Sequence, residues 1–210
     1  MENINVRRAV LSDLPYLYEI CLKTGNNGKD ASALYNDPYM VGNYFAAPYI
    51  VYQKSICFVA EYENGPKGYI VSVPNTAAYE QWLEDYWLPP LRKQFPTDRQ
   101  TKYTEKEKSI LSCIHRKHFP PDPANTLWLN DYPAHLHIDL LPVIQGKGVG
   151  KMLMNNLFDE LKNQNVSGLH LGVSCLNSGA IKFYQKMGFA ILKEQDGGCT
   201  MGKIVCAENP

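Results

Sequence analysis

A glycine-rich segment carries the clearest chemical signal of the chain. Residues 145–151 read QGKGVGK, and they join an apolar strand to a helix with one apolar face. Glycines let the backbone approach a ligand closely, and the first turn of a helix offers unpaired N–H groups and partial positive charge. Lys147 and Lys151 add positive charge beside that turn. The segment therefore predicts a site for a phosphate or pyrophosphate group.

Two widespread phosphate-binding motifs do not fit this segment. A Walker A loop needs the pattern G-x-x-x-x-G-K-[ST], whereas Gly146 and Gly150 stand one residue too close together and Met152 replaces the hydroxyl residue. The dinucleotide fingerprint G-x-G-x-x-G belongs to the first strand–helix unit of a parallel fold. Here the glycines are spaced G-x-G-x-G and lie in the C-terminal half of the chain. Spacing excludes both alternatives.

The same spacing resembles a motif of the GNAT N-acetyltransferases. Gln145-x-x-Gly148-x-Gly150 is similar to their Q/R-x-x-G-x-G/A loop, whose amides bind the pyrophosphate of coenzyme A. Residues 177–189 read NSGAIKFYQKMGF and resemble the family's second cofactor element, N-x-x-A-x-x-F-Y-x-x-x-G-F. Both elements stand in the family's order and at its distance. The resemblance implies cofactor contacts from Ile138, Leu140, Gln145, Gly146, Lys147, Gly148, Val149, Gly150, Lys151, Asn177, Ala180, Phe183 and Tyr184.

A narrower resemblance covers most of the chain. The segments ICLKTGNNGKDAS and YPAHLHIDLLP, at residues 20–32 and 132–142, are similar to a bacterial acetyltransferase group. That group is related to the acetyltransferase-like region of O-GlcNAc hydrolases. Some domains of this kind have lost cofactor binding, but the intact glycine loop argues against that loss here.

The family resemblance also implies the chemistry. A neutral amine would attack the thioester of acetyl-CoA directly, and backbone amides of a strand that splays from its neighbour would polarise the carbonyl. Asn177 would bind the pantetheine arm, and Tyr184 would lie near the sulfur as a candidate general acid. The alternative interpretation of Tyr184 is an aromatic side chain on the buried face of a helix. The reaction requires no metal.

The general base is left open by the sequence. His135, His137 and Asp139 alternate along one face of a strand, and histidine is the natural base near neutral pH. Relatives with a base on this strand place it on the opposite face, so a structural role with His137 oriented by Asp139 is an equal alternative, unless a bulge shifts the register. A His–His–Asp metal site is geometrically possible but lacks a fourth ligand. Glu61 is a further candidate, acting through water.

Patterns of strands and helices surround these motifs and favour an α/β (α+β mixed) domain over residues 1–210. The family fold is a mostly antiparallel central sheet with helices on both faces, and it would carry a helical insertion at about residues 75–130. Strands are predicted at residues 4–8, 56–61, 68–73, 134–141, 169–174, 189–193 and 200–205. Helices are predicted from residue 14 to Gly25, over residues 30–44 with a break at Pro38, and over 148–163 and 178–187. Within the insertion, Pro89 and Pro90 are expected to end a helix.

Aromatic residues and histidines of the insertion could line an acceptor pocket, although packing against the sheet is the favoured interpretation. They are Trp82, Tyr86, Trp87, His115 and His118.

Composition limits the remaining possibilities. The 210 residues include 21 Lys and Arg against 21 Asp and Glu, so we expect no nucleic-acid or membrane partner. Six scattered cysteines without a CxxC pair favour reduced thiols, and no signal peptide is recognisable, so a cytoplasmic location is expected. The expected partners are acetyl-CoA and an amine acceptor, in a monomer or homodimer. The alternative function is a non-catalytic acyl-CoA-binding or regulatory module of the same fold.

Overall fold

A seven-stranded sheet forms the centre of the computed structural model, which describes residues 4–119, 127–195 and 197–206. The strands are β1 (Asn5–Arg8), β2 (Ile56–Glu61), β3 (Pro66–Val73), β4 (Ala134–Leu140), β5 (Gly168–Ser174), β6 (Ala190–Gln195) and β7 (Gly198–Ile204). Their order across the sheet is β1-β2-β3-β4-β5-β7-β6, and β4 and β5 are the one parallel pair of neighbours among the described strands. The predicted mixed, mostly antiparallel sheet is confirmed.

Helices lie on both faces of this sheet. They are α1 (Leu14–Thr24), α2 (Met40–Phe45), α3 (Ala47–Val51), α4 (Thr76–Trp82), α5 (Leu88–Gln94), α6 (Glu105–His115), α7 (Val149–Asn163) and α8 (Ser178–Lys186). A π-helical segment, Leu83–Trp87, continues α4 into α5. No described helix is long and apolar enough to cross a bilayer.

Two hydrophobic cores result, one on each face of the sheet. The first core lies under α1–α6 and includes Leu17, Ile20, Met40, Tyr69, Val71 and Leu88. The second core lies under α7 and α8 and includes Ile70, Leu136, Leu153, Leu157 and Phe189. Because alternate strand residues point to opposite faces, Ile70 and Val71 contribute to different cores. The cofactor motifs belong to the second face, whereas the insertion belongs to the first.

The predicted helix over residues 30–44, broken at Pro38, is confirmed after the break but not before it. A short 3₁₀ turn, Ser32–Leu34, is followed by the separate helices α2 and α3. Pro38 disfavours a helical conformation at Asp37, whose carboxylate instead accepts a hydrogen bond from the Tyr39 N–H at 2.8 Å.

The two prolines of the insertion also act differently from the prediction. Pro89 and Pro90 lie in the first turn of α5 and do not end a helix. The first turn needs no intrahelical N–H donors, and the fixed φ of proline suits it. The chain therefore passes from α4 through the π-helical segment into α5, while residues 120–126 of the insertion lie outside the described residues.

Candidate active site

The parallel strands β4 and β5 pair over only two positions and then diverge. Ala134 lies opposite Leu169 and His135 opposite His170, and these are the only pairs the two described strands form. Each strand keeps its other neighbour, since β4 pairs with β3 up to Leu140 and β5 pairs with β7 along its whole length. The sheet therefore stays intact on both sides of an opening whose edges carry N–H and C=O groups without a strand partner.

The glycine loop has the geometry of an anion site at the start of α7. Gly146 and Gly148 have φ values of 72° and 80°, a left-handed region that favours glycine. A Cβ atom built on either residue meets nothing within 4 Å, so the space above the loop is open. Gln145 fixes the base of the loop, because its Nε2 donates to the Leu140 carbonyl at 2.7 Å. Lys147 and Lys151 are exposed beside it.

The two cofactor elements of the sequence touch each other. A Cβ atom on Gly150 would lie 3.1 Å from the Phe183 ring and 3.5 Å from a Leu140 methyl group. The Phe183 ring therefore crosses the first turn of α7 at a point where a side chain fits only if the ring shifts by a few tenths of an ångström. Val149, next to it, is buried and anchors that turn in the second core.

The remaining cofactor candidates lie around this contact. Ile138 and Leu140 are partly buried against the second core, as is Ala180 on α8. Asn177 caps α8, because its Oδ1 accepts a hydrogen bond from the Ala180 N–H at 3.1 Å. The carboxamide oxygen of Asn177 is thus occupied by the N-terminal hydrogen bond of α8. Its NH₂ group can donate a hydrogen bond to a ligand.

Tyr184 lies on the buried face of α8. Its ring centroid is 5.5 Å from that of Phe183 and 5.7 Å from that of Phe189, and 8% of the residue is exposed. Burial, with a smaller effect of the Asp139 charge, raises the pKa of the Tyr184 hydroxyl above its usual value of 10. The phenol therefore stays protonated at neutral pH.

The histidines of β4 face the first core, opposite Leu136. The pairing of β3 with β4 is regular from Val73 to Gly68, so no bulge changes their face. His135 is fully hydrogen-bonded: Nε2 lies 2.7 Å from the Tyr49 hydroxyl and Nδ1 2.8 Å from the Thr76 hydroxyl. Because Thr76 donates its hydroxyl hydrogen to the Pro133 carbonyl, Nδ1 must carry the proton and Nε2 must accept from Tyr49. His135 has no lone pair left for a substrate.

His137 is held by aromatic rings instead of hydrogen bonds. Its ring lies edge-on to Phe45 and Tyr49, at centroid distances of 5.2 and 5.4 Å. The expectation that Asp139 orients it was wrong, because the Asp139 carboxylate accepts from the Tyr69 hydroxyl at 2.5 Å. Burial, with a smaller effect of His170, lowers the pKa of His137 to about 4. His137 is thus neutral at pH 7, and no side chain of the described residues hydrogen-bonds its ring.

Glu61 lies outside this region. Its carboxylate accepts a hydrogen bond from Arg7 Nε at 2.9 Å, and its Oε1 lies 2.8 Å from Arg7 Nη2. Both contacts connect the paired strands β1 and β2. It lines neither of the cavities described below, so a role through water is not supported. The described residues also contain no group of three His, Cys, Asp or Glu side chains placed to hold a metal ion.

A cavity of about 230 Å³ opens from the point where β4 and β5 part. Its inner wall includes His135, His137 and His170 on the strands together with Leu136 and Gly172. The outer wall comes from α2, α3 and the insertion. It consists of Tyr44, Phe45, Tyr49, Thr76, Tyr79, Glu80, Leu83, Cys113, Arg116 and His118. A second cavity, of about 240 Å³, shares Phe45 and His137 with the first and contains Asp139.

Residues of the insertion pack against α2 and also line the first cavity. Trp82 stacks on Trp87 at 6.0 Å, and Trp87 donates its indole N–H to the Asn43 carbonyl at 2.8 Å, so these rings attach the insertion to α2. Tyr86 is largely exposed and His115 binds the Phe95 carbonyl, whereas His118 is buried in the wall of the first cavity.

Several residues of this wall were not predicted from the sequence. They are Tyr44, Tyr49, Tyr79, Glu80, Arg116 and His170. They come from five separate parts of the chain, with Tyr79 and Glu80 adjacent on α4, and they share no motif. The aromatic content of residues 35–52 was the only signal that could have pointed to them.

Comparison with known proteins gives a consistent family match. The profile of the Acetyltransferase (GNAT) family matches residues 29–189 of the chain. The chain is also 21% identical to Protein O-GlcNAcase of Rattus norvegicus over 182 residues, which is 86% of this chain. It spans only 19% of the length of that protein.

Solved structures resemble the whole chain. The crystal structure of SsHAT is 29% identical and superimposes with a TM-score of 0.85, covering 98% of this chain and 100% of that one. A PaiA N-acetyltransferase from Thermoplasma acidophilum in complex with coenzyme A is 15% identical and has a TM-score of 0.59. The coverage is 96% of this chain and 99% of that protein, and at this identity the likeness concerns the fold.

The neutral histidines predict a pH dependence of stability. The unfolded chain protonates His137 near the usual pKa of 6.5, whereas the folded protein does so at about 4. Between these values the unfolded state binds more protons, so stability is lost as the pH falls from about 6.5 toward about 4. Burial of His135 and His170 lowers their pKa values and acts in the same direction, while the raised pKa of Asp139 opposes it.

We therefore expect the free energy of unfolding, measured in urea, to fall between about pH 7 and about pH 5, and to fall less in His137→Gln. His115→Gln, which alters a histidine outside both cavities, serves as the control. An equal loss in the wild-type protein and His137→Gln would show that protonation of His137 does not contribute.

Proposed function

The chain belongs to the acetyltransferase (GNAT) family, and from this membership we propose that it transfers an acetyl group from acetyl-CoA to a primary amine. The amine belongs to a small molecule or an exposed amino group, and the transfer is direct, without an acetyl-enzyme intermediate or a metal. The observation that carries the proposal is the opening between β4 and β5. It lies between an anion-binding loop on one side and an aromatic cavity on the other.

The residues present fit acetyl-CoA as the co-substrate. The open space over Gly146 and Gly148 and the N-terminus of α7 suit the pyrophosphate, with Lys147 and Lys151 adding positive charge. The exposed strand edges at the opening suit the amides of the pantetheine arm. The main chain at Ile138 and Leu140 and the NH₂ group of Asn177 are the contacts we propose there, and the ring of Phe183 packs beside the arm.

Tyr184 is proposed to assist departure of the thiolate. Its raised pKa makes the phenol a hydrogen-bond donor to the developing negative charge more than a donor of a complete proton, because the thiol is the stronger acid of the two. A buried hydroxyl of this kind stabilises the leaving group without being ionised in the resting protein.

His137 is the stronger of the two candidate bases. His135 uses both ring nitrogens in hydrogen bonds, whereas His137 lies at the opening and lines both cavities. A base with a pKa of about 4 suffices when the nitrogen that it deprotonates has already bonded to the carbonyl carbon, since that bond makes the N–H strongly acidic.

The complete reaction balances without another reactant. The amine nitrogen forms a bond to the acetyl carbonyl carbon, and the carbon–sulfur bond breaks. His137 takes the proton from the nitrogen. The thiolate leaves against the Tyr184 hydroxyl and takes a proton from water to become the thiol of coenzyme A, while His137 returns the proton that it accepted to water. Both steps take place in a site where burial keeps the surrounding imidazoles neutral.

A charge placed in the glycine loop tests the cofactor site. We expect Gly148→Asp to abolish binding of acetyl-CoA in a calorimetric titration, because the carboxylate would occupy the open space and repel the pyrophosphate. Gly28→Asp is the matched control, since Gly28 also has a positive φ, of 83°, and no atom within 4 Å of a built Cβ. Unchanged affinity of Gly148→Asp for acetyl-CoA would show that the glycine loop does not bind the cofactor.

The role of Tyr184 is tested by removing its hydroxyl alone. In Tyr184→Phe we expect kcat to fall on the order of a hundredfold, while the affinity for acetyl-CoA and the thermal stability change little. The comparison is made with an acceptor amine by following release of the thiol. If the rate is unaffected, Tyr184 is a packing residue and the non-catalytic acyl-CoA-binding alternative gains support.

The choice of base is tested by its effect on rate with bound cofactor. We expect His137→Gln to lower kcat about a hundredfold without weakening acetyl-CoA binding, because the amide has no basic nitrogen. His137 protonates only near pH 4, so the wild-type rate should not lose this base between about pH 8 and about pH 6. Full activity of His137→Gln would show that water, and not His137, accepts the proton of the amine.

A further inference from the structure

The first cavity has two chemically different ends. Its inner end, at the strand opening, is lined by neutral imidazoles and aromatic rings, because burial lowers the pKa values of His135, His137 and His170. The ring of Tyr79, in the outer wall, lies 5.4 Å from that of His135, so it borders this end of the cavity. Its buried hydroxyl interacts with the Tyr49 hydroxyl, but it forms no hydrogen bond of normal geometry with any described residue. A buried hydroxyl without a well-formed hydrogen bond is suited to bind a polar ligand group.

The outer end of the cavity carries two opposite charges. Glu80, on α4, and Arg116, just after α6, both line it. Arg116 makes one long hydrogen bond, from Nη2 to the Tyr44 hydroxyl at 3.4 Å, and Glu80 lies 4.0 Å from Nδ1 of His118. Within the described residues the two charges form no ion pair with each other, since none of their N and O atoms approach within 4.0 Å. Each retains capacity to bind a charged group.

A separate ion pair fixes this arrangement. Arg92 binds Glu84 at 2.8 Å and also donates to the carbonyl groups of Ile114 and Arg116, at 2.8 and 3.0 Å. Glu84 in turn accepts from the His118 N–H at 2.6 Å. Three of these contacts attach residues 114–118 to the π-helical segment and α5. The backbone that carries Arg116 is therefore held in place in the wall that also contains Glu80.

We propose that the acceptor is a free α-amino acid whose side chain ends in the primary amine that is acetylated. This inference rests on the proposed acetyl transfer and names its substrate class. The α-ammonium group binds Glu80 and the α-carboxylate binds Arg116, since a charge-assisted pair at each group matches a zwitterion. The side-chain amine extends to the neutral inner end, where His137 and the Tyr79 hydroxyl meet it and where loss of its charge is favoured.

The same chemistry separates free amino acids from lysine in a protein. In a polypeptide the α-nitrogen and the carbonyl group are amides, so neither charge is available to Glu80 or Arg116. A simple alkylamine lacks both charges as well. Glu80 and Arg116 are therefore expected to determine the selectivity for the acceptor. The loss of either contact should lower kcat/KM measurably.

The experiment compares acceptors that differ by one group. The substrates are L-lysine, ε-aminocaproate (which lacks the α-amine), cadaverine (which lacks the carboxylate), pentylamine (which lacks both) and lysine capped as amides at both ends. L-ornithine and L-diaminobutyrate test the chain length. We expect kcat/KM to be highest for one of the free diamino acids and about tenfold or more lower for each truncated analogue of the same length.

Variants of Glu80 and Arg116 test whether these two residues cause the preference for a free diamino acid. Arg116→Gln should lower kcat/KM for the diamino acid about tenfold, so that lysine is no longer preferred over cadaverine. Glu80→Gln should also lower kcat/KM for the diamino acid about tenfold, so that lysine is no longer preferred over ε-aminocaproate. Pentylamine turnover should remain in both variants, which confirms that they fold and transfer the acetyl group. Lys117→Gln, which removes a neighbouring exposed charge outside the cavity, is the control.

The outcomes are distinct. Equal kcat/KM for lysine, cadaverine and pentylamine, or a preference for the amide-capped lysine, would overturn this inference while acetyl transfer stands. An equal loss of the preference in Lys117→Gln and in Arg116→Gln would also overturn it. The preference would then come from nonspecific electrostatic attraction between positive side chains and the carboxylate. If acetyl-CoA binds but no amine in the series is acetylated, the proposed function fails and this inference fails with it.

Discussion

The unfinished pairing of two parallel strands is the constraint on which the site depends. A buried N–H or C=O group without a partner is costly, and β4 and β5 would ordinarily pair along their whole length. Here each strand is held by its outer neighbour, β3 or β7, with complete antiparallel registers, so the two halves of the sheet are stable apart. The opening can persist only because those outer ladders are regular. It supplies backbone groups that a ligand, or water, must satisfy.

The sheet also separates two kinds of chemistry. On the face of α7 and α8 the surroundings favour negative charge, through the loop amides and the helix terminus. On the other face, burial keeps three imidazoles of the first cavity neutral, while Glu80 and Arg116 in its outer wall are charged. An anionic co-substrate and a neutral nucleophile need these opposite environments. The opening between β4 and β5 is the place where they meet.

The sequence predicted the elements on one face of the sheet more accurately than the cavity on the other face. The glycine loop, β4, α7 and α8 were identified because their motifs lie within short stretches of sequence and have fixed spacing. The first cavity was not predicted, since Tyr49, Tyr79 and Arg116 come from three separate helical regions. Local rules also failed where tertiary contacts decide the outcome. Proline at the first turn of α5 resembled a helix end, and the partners of His135 could be identified only from the positions of Tyr49 and Thr76.

The contact between Gly150 and Phe183 has an evolutionary consequence. A Cβ atom at position 150 would lie 3.1 Å from that ring, so the ring would have to shift by a few tenths of an ångström to admit a side chain. The two cofactor elements, more than thirty residues apart in the sequence, therefore constrain each other. A larger residue in the loop would require a smaller one on α8, and the reverse substitution would leave a void. Positions 150 and 183 should therefore covary among homologous sequences. The walls of the first cavity, which do not share this contact, are free to diverge much faster.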